Sequence, residues 1–259
     1  MSGLFPDIEY GLIGHPLGHS ISPRIHELLG DPSYRLMDLE EKEMLLFLRE
    51  KRFKGLNVTI PYKQAVLPLC DALSEEVREI GSANVLVNRD GRVTAYNTDL
   101  DGFLHLMHKS GAEPAGKKAV IFGSGGTSKM AFCALRKLGA RPLVISRKGP
   151  VDYDALYREH TDARLIINTT PVGMYPHTDE QIADLSRFPD AELVIDAVYN
   201  PERTKLLRQA DELGIPFLGG LEMLVVQAAK AHQLFTGAPM PEEDRIMEIC
   251  REVRGLLQK

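Results

Sequence analysis

The chain has 259 residues, of which 44% are hydrophobic and 26% charged, and its formal net charge at pH 7 is −5. These proportions are average for a soluble globular protein, and the length allows one large domain or two of ordinary size. The negative charge argues against a general nucleic-acid or membrane-surface role.

The N-terminus and the cysteines indicate the compartment. Residues 1–10 lack a basic segment followed by an apolar stretch, and no run of about 18 apolar residues predicts a spanning helix. The three cysteines, Cys70, Cys133 and Cys250, are far apart and form no C-x-x-C pair. We therefore expect buried or free thiols in a reducing cytoplasm, and no membrane or nucleic-acid partner.

In chain order, the first hundred residues alternate between strand and helix patterns. Strands are predicted at 10–14, 34–39 and 56–60, helices at 22–30 and 40–51, and a hairpin at 83–97. We expect Ser22 to be the N-cap of the first helix, with Pro23 at its first helical position. We expect the hairpin to turn at Asp90 and Gly91.

The third strand carries an unusual polar pattern over residues 55–63, GLNVTIPYK. Asn57 and Thr59 alternate with apolar residues, as in a strand with one apolar face. Those apolar residues are Leu56, Val58 and Ile60. Pro61 removes a ladder donor and ends the pairing, and Lys63 follows. These polar side chains face either solvent or a small polar molecule.

Polar clusters follow several of the predicted strands, and ligands of open α/β sheets gather at the carboxyl ends of strands. Ser20 and Ser22 follow the first strand, where they could bind a carboxylate; the alternative for Ser22 is helix capping alone. His15 and His19 are spaced like a metal pair, as are His105 and His108, which lie three apart. Neither pair has a third ligand in view, so we expect packing roles and no metal site.

The second part of the chain begins with a helix capped near Thr98 or Asp99. A strand–turn–helix–strand unit then starts at Lys117, and later elements are strands at 164–170, 192–198 and 215–220 and helices at about 222–236 and 241–257. Alternating strands and helices predict an α/β fold with parallel sheets, and the restart near residue 102 predicts two domains.

The turn FGSGGTS, residues 122–128, is glycine-rich. Gly123 and Gly125 occupy the first two glycine positions of G-x-G-x-x-G, and Ser128 occupies the third. The first glycine allows a tight turn, and the second lets backbone N–H groups approach a pyrophosphate at the helix N-terminus. Because an apolar strand precedes the turn and a helix follows it, we interpret it as a dinucleotide-binding turn rather than a purely structural one.

The residues after the next strand select the cofactor. An acidic residue there would bind the ribose 2′-hydroxyl, but this chain has Ser146, Arg147 and Lys148. Two cations favour the 2′-phosphate of NADP, and the alternative is a solvated strand end.

Six separated motifs resemble those of the shikimate dehydrogenase family, in this order and across nearly the whole chain. They are GHPLGHSISPRIH, GLNVTIPYK, NTDLDGF, FGSGGTS, NTTPVGMYP and GLEMLVVQAA. The resemblance implies reduction of 3-dehydroshikimate to shikimate with NADPH, in the chorismate pathway to aromatic amino acids. It also implies a substrate-binding α/β domain of residues 1–101 plus about 222–259, with the C-terminal helices returning to it, and a Rossmann-like NADP-binding domain of residues 102–221.

The resemblance further implies roles for single residues. Lys63 would donate a proton to the developing alkoxide, and Asp99 would hold Lys63 and the substrate hydroxyl. The residues implied for the substrate are Ser20, Ser22, Asn57, Thr59, Asn84, Tyr199 and Gln227. The residues implied for the cofactor are Gly123, Ser124, Gly125, Gly126, Thr127, Ser128, Ser146, Arg147, Lys148, Thr169, Thr170 and Gly220.

Some alternatives stay open. Only sixteen residues, 148–163, separate Arg147 from the next strand, where the family usually has a further helix and strand, and this shortening bears on the NADP preference. A quinate/shikimate dehydrogenase using NAD is one alternative activity. A non-catalytic ligand-binding paralogue is another, although a sensor needs neither Lys63 nor Asp99. The sequence assigns no role to Glu222.

Overall fold

The structure, a computed structural model, divides the chain into two compact units. It describes residues 4–18, 20–31, 33–147, 149 and 151–257. Unit 1 comprises Met1–Thr98 and Val225–Val253, and unit 2 comprises Asp99–Leu224 and Arg254–Lys259. Among the described residues, no helix has the length and apolar character needed to cross a membrane.

Unit 1 is built on a mixed six-stranded sheet. Its strands are β1 (Ile8–Gly14), β2 (Arg35–Asp38), β3 (Phe53–Val58), β4 (Ala72–Leu73), β5 (Val85–Arg89) and β6 (Arg92–Tyr96). The helices between them are α1 (Ser22–Leu28), α2 (Glu41–Glu50) and α3 (Glu75–Ile80). The order is β2-β1-β3-β5-β6-β4; β1 is parallel to β2 and β3, whereas β5 is antiparallel to β3 and β6.

The predicted hairpin is confirmed at β5 and β6. Arg89 pairs with Arg92, so Asp90 and Gly91 form a two-residue turn. Their φ angles are 53° and 83°. Positive φ at both positions matches the turn type whose twist fits paired strands, and Asp-Gly is a favoured pair for it.

The end of β3 differs from the prediction. Leu56 and Val58 are buried in the core as expected, but the strand stops at Val58. Ile60, expected on the same apolar face, is 65% exposed. The reason is a local turn: the Thr59 N–H still bonds to β1, but the Tyr62 N–H bonds back to the Thr59 carbonyl at 2.9 Å. The alternation therefore ends two residues early.

Unit 2 is built on a five-stranded parallel sheet. Its helices are α4 (Asp99–Ser110), α5 (Gly126–Lys137), α6 (Tyr153–Glu159) and α7 (Lys205–Glu212). Its strands are β7 (Lys118–Phe122), β8 (Arg141–Ile145), β9 (Leu165–Asn168), β10 (Leu193–Asp196) and β11 (Phe217–Gly219). The strand order is β11-β10-β9-β7-β8, so the chain adds β8 on one side of β7 and then adds β9, β10 and β11 on the other side. This order confirms the Rossmann-like prediction and places a topological switch point between β7 and β9.

The shortened segment after β8 still contains a helix. The Asp152 side chain caps α6 by accepting the Ala155 N–H at 2.8 Å, and Leu156 is buried in the core of unit 2. In the described part of residues 148–163, no strand is added to the sheet.

Two helices end the chain, α8 (Gly220–Thr236) and α9 (Glu243–Leu257), as predicted. The part of α8 from Val225 onwards belongs to unit 1, where Ala231 and Phe235 pack against Leu12. A Cβ at Gly55 of β3 would lie 2.2 Å from the Phe235 ring, so only glycine allows this close contact.

Candidate active site

Asn84 is the centre of a buried polar cluster in unit 1. Its side chain is 2% exposed, and its Nδ2 donates to Thr98 Oγ1 at 3.0 Å and to Gln227 Oε1 at 3.1 Å. Its Oδ1 accepts the Thr98 N–H at 2.7 Å, so both ends of the amide are held. The cluster joins two residues expected at the substrate with Thr98, which sequence reasoning had considered only as a helix cap.

Thr59 and Lys63 lie on the turn that follows β3. The Val58 N–H donates to the Asn84 carbonyl at 2.8 Å, and the Ala83 N–H donates to the Lys63 carbonyl at 2.8 Å. The turn is therefore bonded at two points to the segment that carries Asn84. Both Thr59 and Lys63 are half-buried, which suits a proton donor that must meet a bound oxygen atom.

Asn57 supports this arrangement from within the core. It is 5% exposed, and its Oδ1 accepts from the Tyr34 hydroxyl at 2.7 Å. Its Nδ2 donates to the Asn84 carbonyl at 3.4 Å. These contacts position the backbone of Asn84, and the expected contact of Asn57 with a substrate stays a prediction.

Ser20 and Ser22 form a hydroxyl pair at the start of α1. Their Oγ atoms lie 3.2 Å apart, and Ser20 Oγ accepts the Ser22 N–H at 3.3 Å. The N-cap of α1 is Ile21 and no side chain caps this helix, so the expectation that Ser22 is the N-cap is wrong. Ser22 is instead the first helical residue, so Pro23 stands at the second helical position and not at the first as expected. Two adjacent hydroxyls are suited to a carboxylate.

Asp99 and Tyr199 belong to unit 2. Asp99 is the first residue of α4 and is 7% exposed, at a helix end where negative charge is favourable. Tyr199 follows β10 and is half-buried. Burial raises the pKa of the Tyr199 hydroxyl, so at neutral pH it remains a neutral hydrogen-bond donor.

The glycine-rich turn lies at the switch point of the parallel sheet. Gly123 has a φ of 116°, a backbone region that favours glycine, and a Cβ there would lie 2.7 Å from Thr169 Oγ1. Thr169 Oγ1 in turn donates to the Phe122 carbonyl at 2.5 Å. The loops after β7 and β9 therefore lie side by side, and the cofactor role expected for Thr169 stays a prediction.

The same turn leaves the start of α5 open. Gly125 is the N-cap, and a Cβ built on it would meet nothing within 4 Å. Helix amides that no side chain caps can bind a phosphate, so this turn fits the pyrophosphate of a dinucleotide. Ser128 is buried and its Oγ donates to the Gly123 carbonyl at 2.8 Å, in keeping with its predicted packing role. The other expected residues of this turn and helix start are Ser124, Gly126 and Thr127.

Asn168 and Asp196, which the sequence analysis did not assign, end the neighbouring strands β9 and β10. Asn168 Nδ2 donates to Asp196 Oδ1 at 2.9 Å, and Thr170 Oγ1 donates to Asn168 Oδ1 at 2.7 Å. Thr204 Oγ1 donates to Asp196 Oδ2 at 2.7 Å. Burial raises the pKa of Asp196 to about 6, although these hydrogen bonds oppose the rise. The network fixes the loops that carry Thr170 and Tyr199. Its only signal in the sequence was an acidic residue, Asp196, at the end of an apolar strand.

The start of α8 is packed closely against the loop after β10. A Cβ on Gly220 would lie 2.2 Å from the Ala197 carbonyl oxygen, so glycine is required there. Glu222 binds Lys109 Nζ at 2.6 Å and lies 2.5 Å from His105 Nε2. Burial raises the pKa of Glu222, but the bonds to Lys109 and His105 outweigh burial and lower it. Glu222 therefore holds α8 to α4.

Ser146 and Arg147 follow β8 as predicted. The Ser146 N–H donates to the Val151 carbonyl at 3.3 Å, which closes a turn, and Arg147 is exposed. Burial raises the pKa of Tyr153, and the nearby Arg147 charge opposes that rise. Lys148, also expected at the cofactor, lies outside the described residues.

The remaining histidines at metal-like spacings are His15, His19 and His108. His15 Nδ1 lies 2.7 Å from Asp38 Oδ1 in an exposed pair. His108 is exposed on α4. His19 lies outside the described residues.

Known proteins resemble the chain in both sequence and fold. The family described as the shikimate dehydrogenase substrate binding domain matches residues 12–86. The NADP(+) shikimate dehydrogenase of Moorella thermoacetica is 36% identical, over 94% of this chain and 92% of that protein.

Two solved structures extend the comparison. Shikimate 5-dehydrogenase from Thermus thermophilus, in complex with NADP(H) and shikimate, has a TM-score of 0.83 and 31% identity and covers 95% of this chain and 99% of its own. Quinate dehydrogenase from Corynebacterium glutamicum, in complex with NAD, has a TM-score of 0.81 and 31% identity, again with 95% and 99% coverage.

Proposed function

This chain belongs to the shikimate dehydrogenase family, and we propose that it reduces 3-dehydroshikimate to shikimate with NADPH, in chorismate biosynthesis. The carrying observation is the Asn84–Thr98–Gln227 cluster, to which the turn of Lys63 is bonded. The Asn84 amide is buried and held in one orientation, and the turn bonded to its segment carries the half-buried Lys63. This combination is suited to binding a hydroxyl group and transferring a proton to it.

We propose that the substrate is held by polar groups at both ends. Ser20 and Ser22 bind its carboxylate through their adjacent hydroxyls, and the neutral hydroxyl of Tyr199 adds a donor. The ring hydroxyls bind to Asn57, Thr59, Asn84 and Gln227. The bonds of Asn84 to Thr98 and Gln227 hold its amide in a fixed direction among these residues.

In the proposed chemistry, Lys63 donates a proton to the substrate oxygen while the carbonyl carbon accepts a hydride. NADPH supplies that hydride when bound. Asp99 accepts a hydrogen bond from the substrate hydroxyl and directs the Lys63 ammonium. Lys63 returns to its charged form by taking a proton from solvent.

The chain is an NADP-dependent oxidoreductase, and its residues fit the cofactor. The uncapped α5 start at Gly125 takes the pyrophosphate, and Arg147 takes the 2′-phosphate with a forked guanidinium. We propose residues 102–221 as the cofactor domain and residues 1–101 plus about 222–259 as the substrate domain.

A second candidate activity is oxidation of quinate with NAD. The observation that favours it is the C. glutamicum quinate dehydrogenase, whose 31% identity equals that of the T. thermophilus enzyme. Overall similarity therefore does not separate the two substrates.

The experiment follows the absorbance of reduced nicotinamide with purified protein and the four pairs of shikimate or quinate with NADP or NAD. We expect kcat/KM to be highest for shikimate with NADP. Higher kcat/KM for quinate with NAD would support the second candidate. Tight shikimate binding without turnover of any pair would instead indicate a non-catalytic paralogue.

A further inference from the structure

His26, Asp31 and His232 form a buried cluster within unit 1. Their side chains are 1%, 5% and 8% exposed, respectively. One possible ligand atom from each residue lies within 4.8 Å of one from each of the others. Ionisable side chains are seldom buried together without hydrogen-bond partners, so the cluster calls for a physical explanation.

The cluster contains most of the unsatisfied buried side-chain atoms of the described structure. Among the described residues, five buried side-chain nitrogen or oxygen atoms lack a hydrogen-bond partner. Three of the five are His26 Nδ1, Asp31 Oδ2 and His232 Nδ1. Two imidazoles and a carboxylate form a donor set typical of a divalent transition metal, and none of these three atoms bonds another.

The spacing and the charge both fit an ion. Metal–nitrogen and metal–oxygen bonds of about 2.0–2.2 Å place two ligands of one ion roughly 3–4 Å apart. A ligand separation of roughly 3–4 Å lies within the observed limit of 4.8 Å. Two atoms about 4 Å apart are too far from each other for a direct hydrogen bond. A divalent cation would also compensate the buried charge of Asp31.

Two of the three side chains are already oriented by other groups. Asp31 Oδ1 accepts from Ser33 Oγ at 2.9 Å and from the Ser33 N–H at 3.3 Å, which leaves Oδ2 for another ligand. The His26 ring is stacked on Tyr34, with centroids 3.8 Å apart and an interplanar angle of 8°. Outer contacts of this kind fix the direction of metal ligands in known sites.

We propose that His26, Asp31 and His232 bind a divalent transition-metal ion of the zinc class, with water as its fourth ligand. The ion would link α1 to α8, the two helices that also carry Ser22 and Gln227. The site is separate from the proposed proton donor and takes no part in the chemistry.

The first test measures metal content in protein purified without a histidine tag. After equilibration with ZnCl₂ and removal of free metal, we expect about one Zn²⁺ per chain by elemental mass spectrometry. His232→Phe, which keeps a ring but removes the ligand, should lose that zinc. His108→Ala, which removes an exposed histidine of α4, should retain it. Wild-type protein with no more zinc than His232→Phe, or equal loss in both variants, overturns the proposal.

A second test needs only the wild-type chain, in case His232→Phe does not fold. The zinc X-ray absorption spectrum should show nitrogen and oxygen ligands at about 2.0–2.1 Å and no sulfur at about 2.3 Å. A sulfur shell would place the metal on a cysteine and overturn the proposal.

Thermal unfolding provides a readout independent of turnover. A hundredfold excess of Zn²⁺ over its Kd should raise the Tm by about 5 °C relative to EDTA-treated protein. An identical Tm with Zn²⁺ and EDTA would indicate that the cluster holds only water or shared protons. These readouts do not depend on the proposed reductase activity.

Discussion

Lys63 is the residue whose replacement tests the chemistry most directly. Lys63→Ala should lower kcat by roughly 10²–10⁴-fold with much less change in KM, because it removes a proton donor that acts in the transition state. Lys42→Ala, on the exposed face of α2, is the matched control and should leave kcat unchanged. A Lys63→Ala enzyme with nearly wild-type kcat would make Lys63 an ordinary surface charge.

Ser22 separates substrate binding from helix stability. Ser22→Ala should raise KM for shikimate by roughly tenfold or more, the loss of one hydrogen bond to a charged group at about 1.5–3 kcal/mol. The Tm should not change, because no side chain caps α1. Steady-state kinetics and thermal unfolding measure the two effects.

Ser74 supplies the contrasting control. Its hydroxyl accepts the Val77 N–H and caps α3, so Ser74→Ala should cost about 0.5–2 kcal/mol of stability and leave KM unchanged. If Ser22→Ala behaved like Ser74→Ala, a carboxylate-binding role for Ser22 would be rejected.

Arg147 is the residue expected to distinguish the two nicotinamide cofactors. Arg147→Ala should weaken NADP binding by roughly 10–100-fold, the size of one charge-assisted pair, and leave NAD nearly unaffected. Arg158→Ala, another exposed arginine, on α6, should change neither. Equal kcat/KM for NADP and NAD in the wild-type enzyme would contradict the selectivity assigned to Arg147.

At the scale of secondary-structure elements, the ends of β9 and β10 should make stability depend on pH. The pKa of Asp196 is raised from 3.8 to about 6 in the folded chain. The stability contributed by its protonated form is therefore complete below pH 3.8 and is lost as pH rises through about 6. That loss is at most about 3 kcal/mol.

Asp196→Asn should remove this component while keeping a side chain that can bond to Asn168. Relative to wild type, the variant should gain stability between pH 4 and pH 7 in urea unfolding. Asp184→Asn should show little change relative to wild type over this range, because hydrogen bonds from Ser186 and Gln209 lower the pKa of Asp184 and place its titration below pH 4. A constant difference between Asp196→Asn and wild type across this range would show that Asp196 does not titrate there.

Elements whose causes are local in sequence could be predicted. The Asp90–Gly91 turn and the turn at Gly123 depend on a few adjacent residues, and both form as expected. The end of β3 at Val58 and the capping of α1 could not be predicted. The first depends on a backbone hydrogen bond from Tyr62 to Thr59, and the second on a bond from the Ser22 N–H to the Ser20 hydroxyl, and each competes with a regular pattern.

The contacts of the candidate site likewise differ in whether their causes are local or long-range in the sequence. Residue types in the motifs suggested Asn84 and Gln227 separately, but their bond joins positions 143 residues apart. The buried pair of Asn168 and Asp196 and the cluster around His26 also depend on contacts between distant segments. Spacing along the chain carries no signal for such contacts.

At the scale of the whole molecule, the two units should respond to different ligands. In hydrogen exchange, NADP should slow exchange chiefly in residues 99–224, and shikimate chiefly in residues 1–98 and 225–253. Amide exchange measured by mass spectrometry, with each ligand alone, reports the two patterns. Protection of the β1–β3 strands by NADP alone would contradict the domain assignment.

The discontinuity of unit 1 has a consequence for synthesis of the protein on the ribosome. Unit 2 is mostly one continuous stretch, Asp99–Leu224. The folding of Met1–Thr98, in contrast, cannot be completed until Val225–Val253 has been synthesised. The 143 residues from Asn84 to Gln227 take roughly 7–29 s to translate at about 5–20 residues per second. For that interval the nascent first segment lacks Phe235 over Gly55 and Gln227 at Asn84. The earliest part of the polypeptide to be made is thus among the last to be completed, and its apolar surface is a natural target for ribosome-associated chaperones.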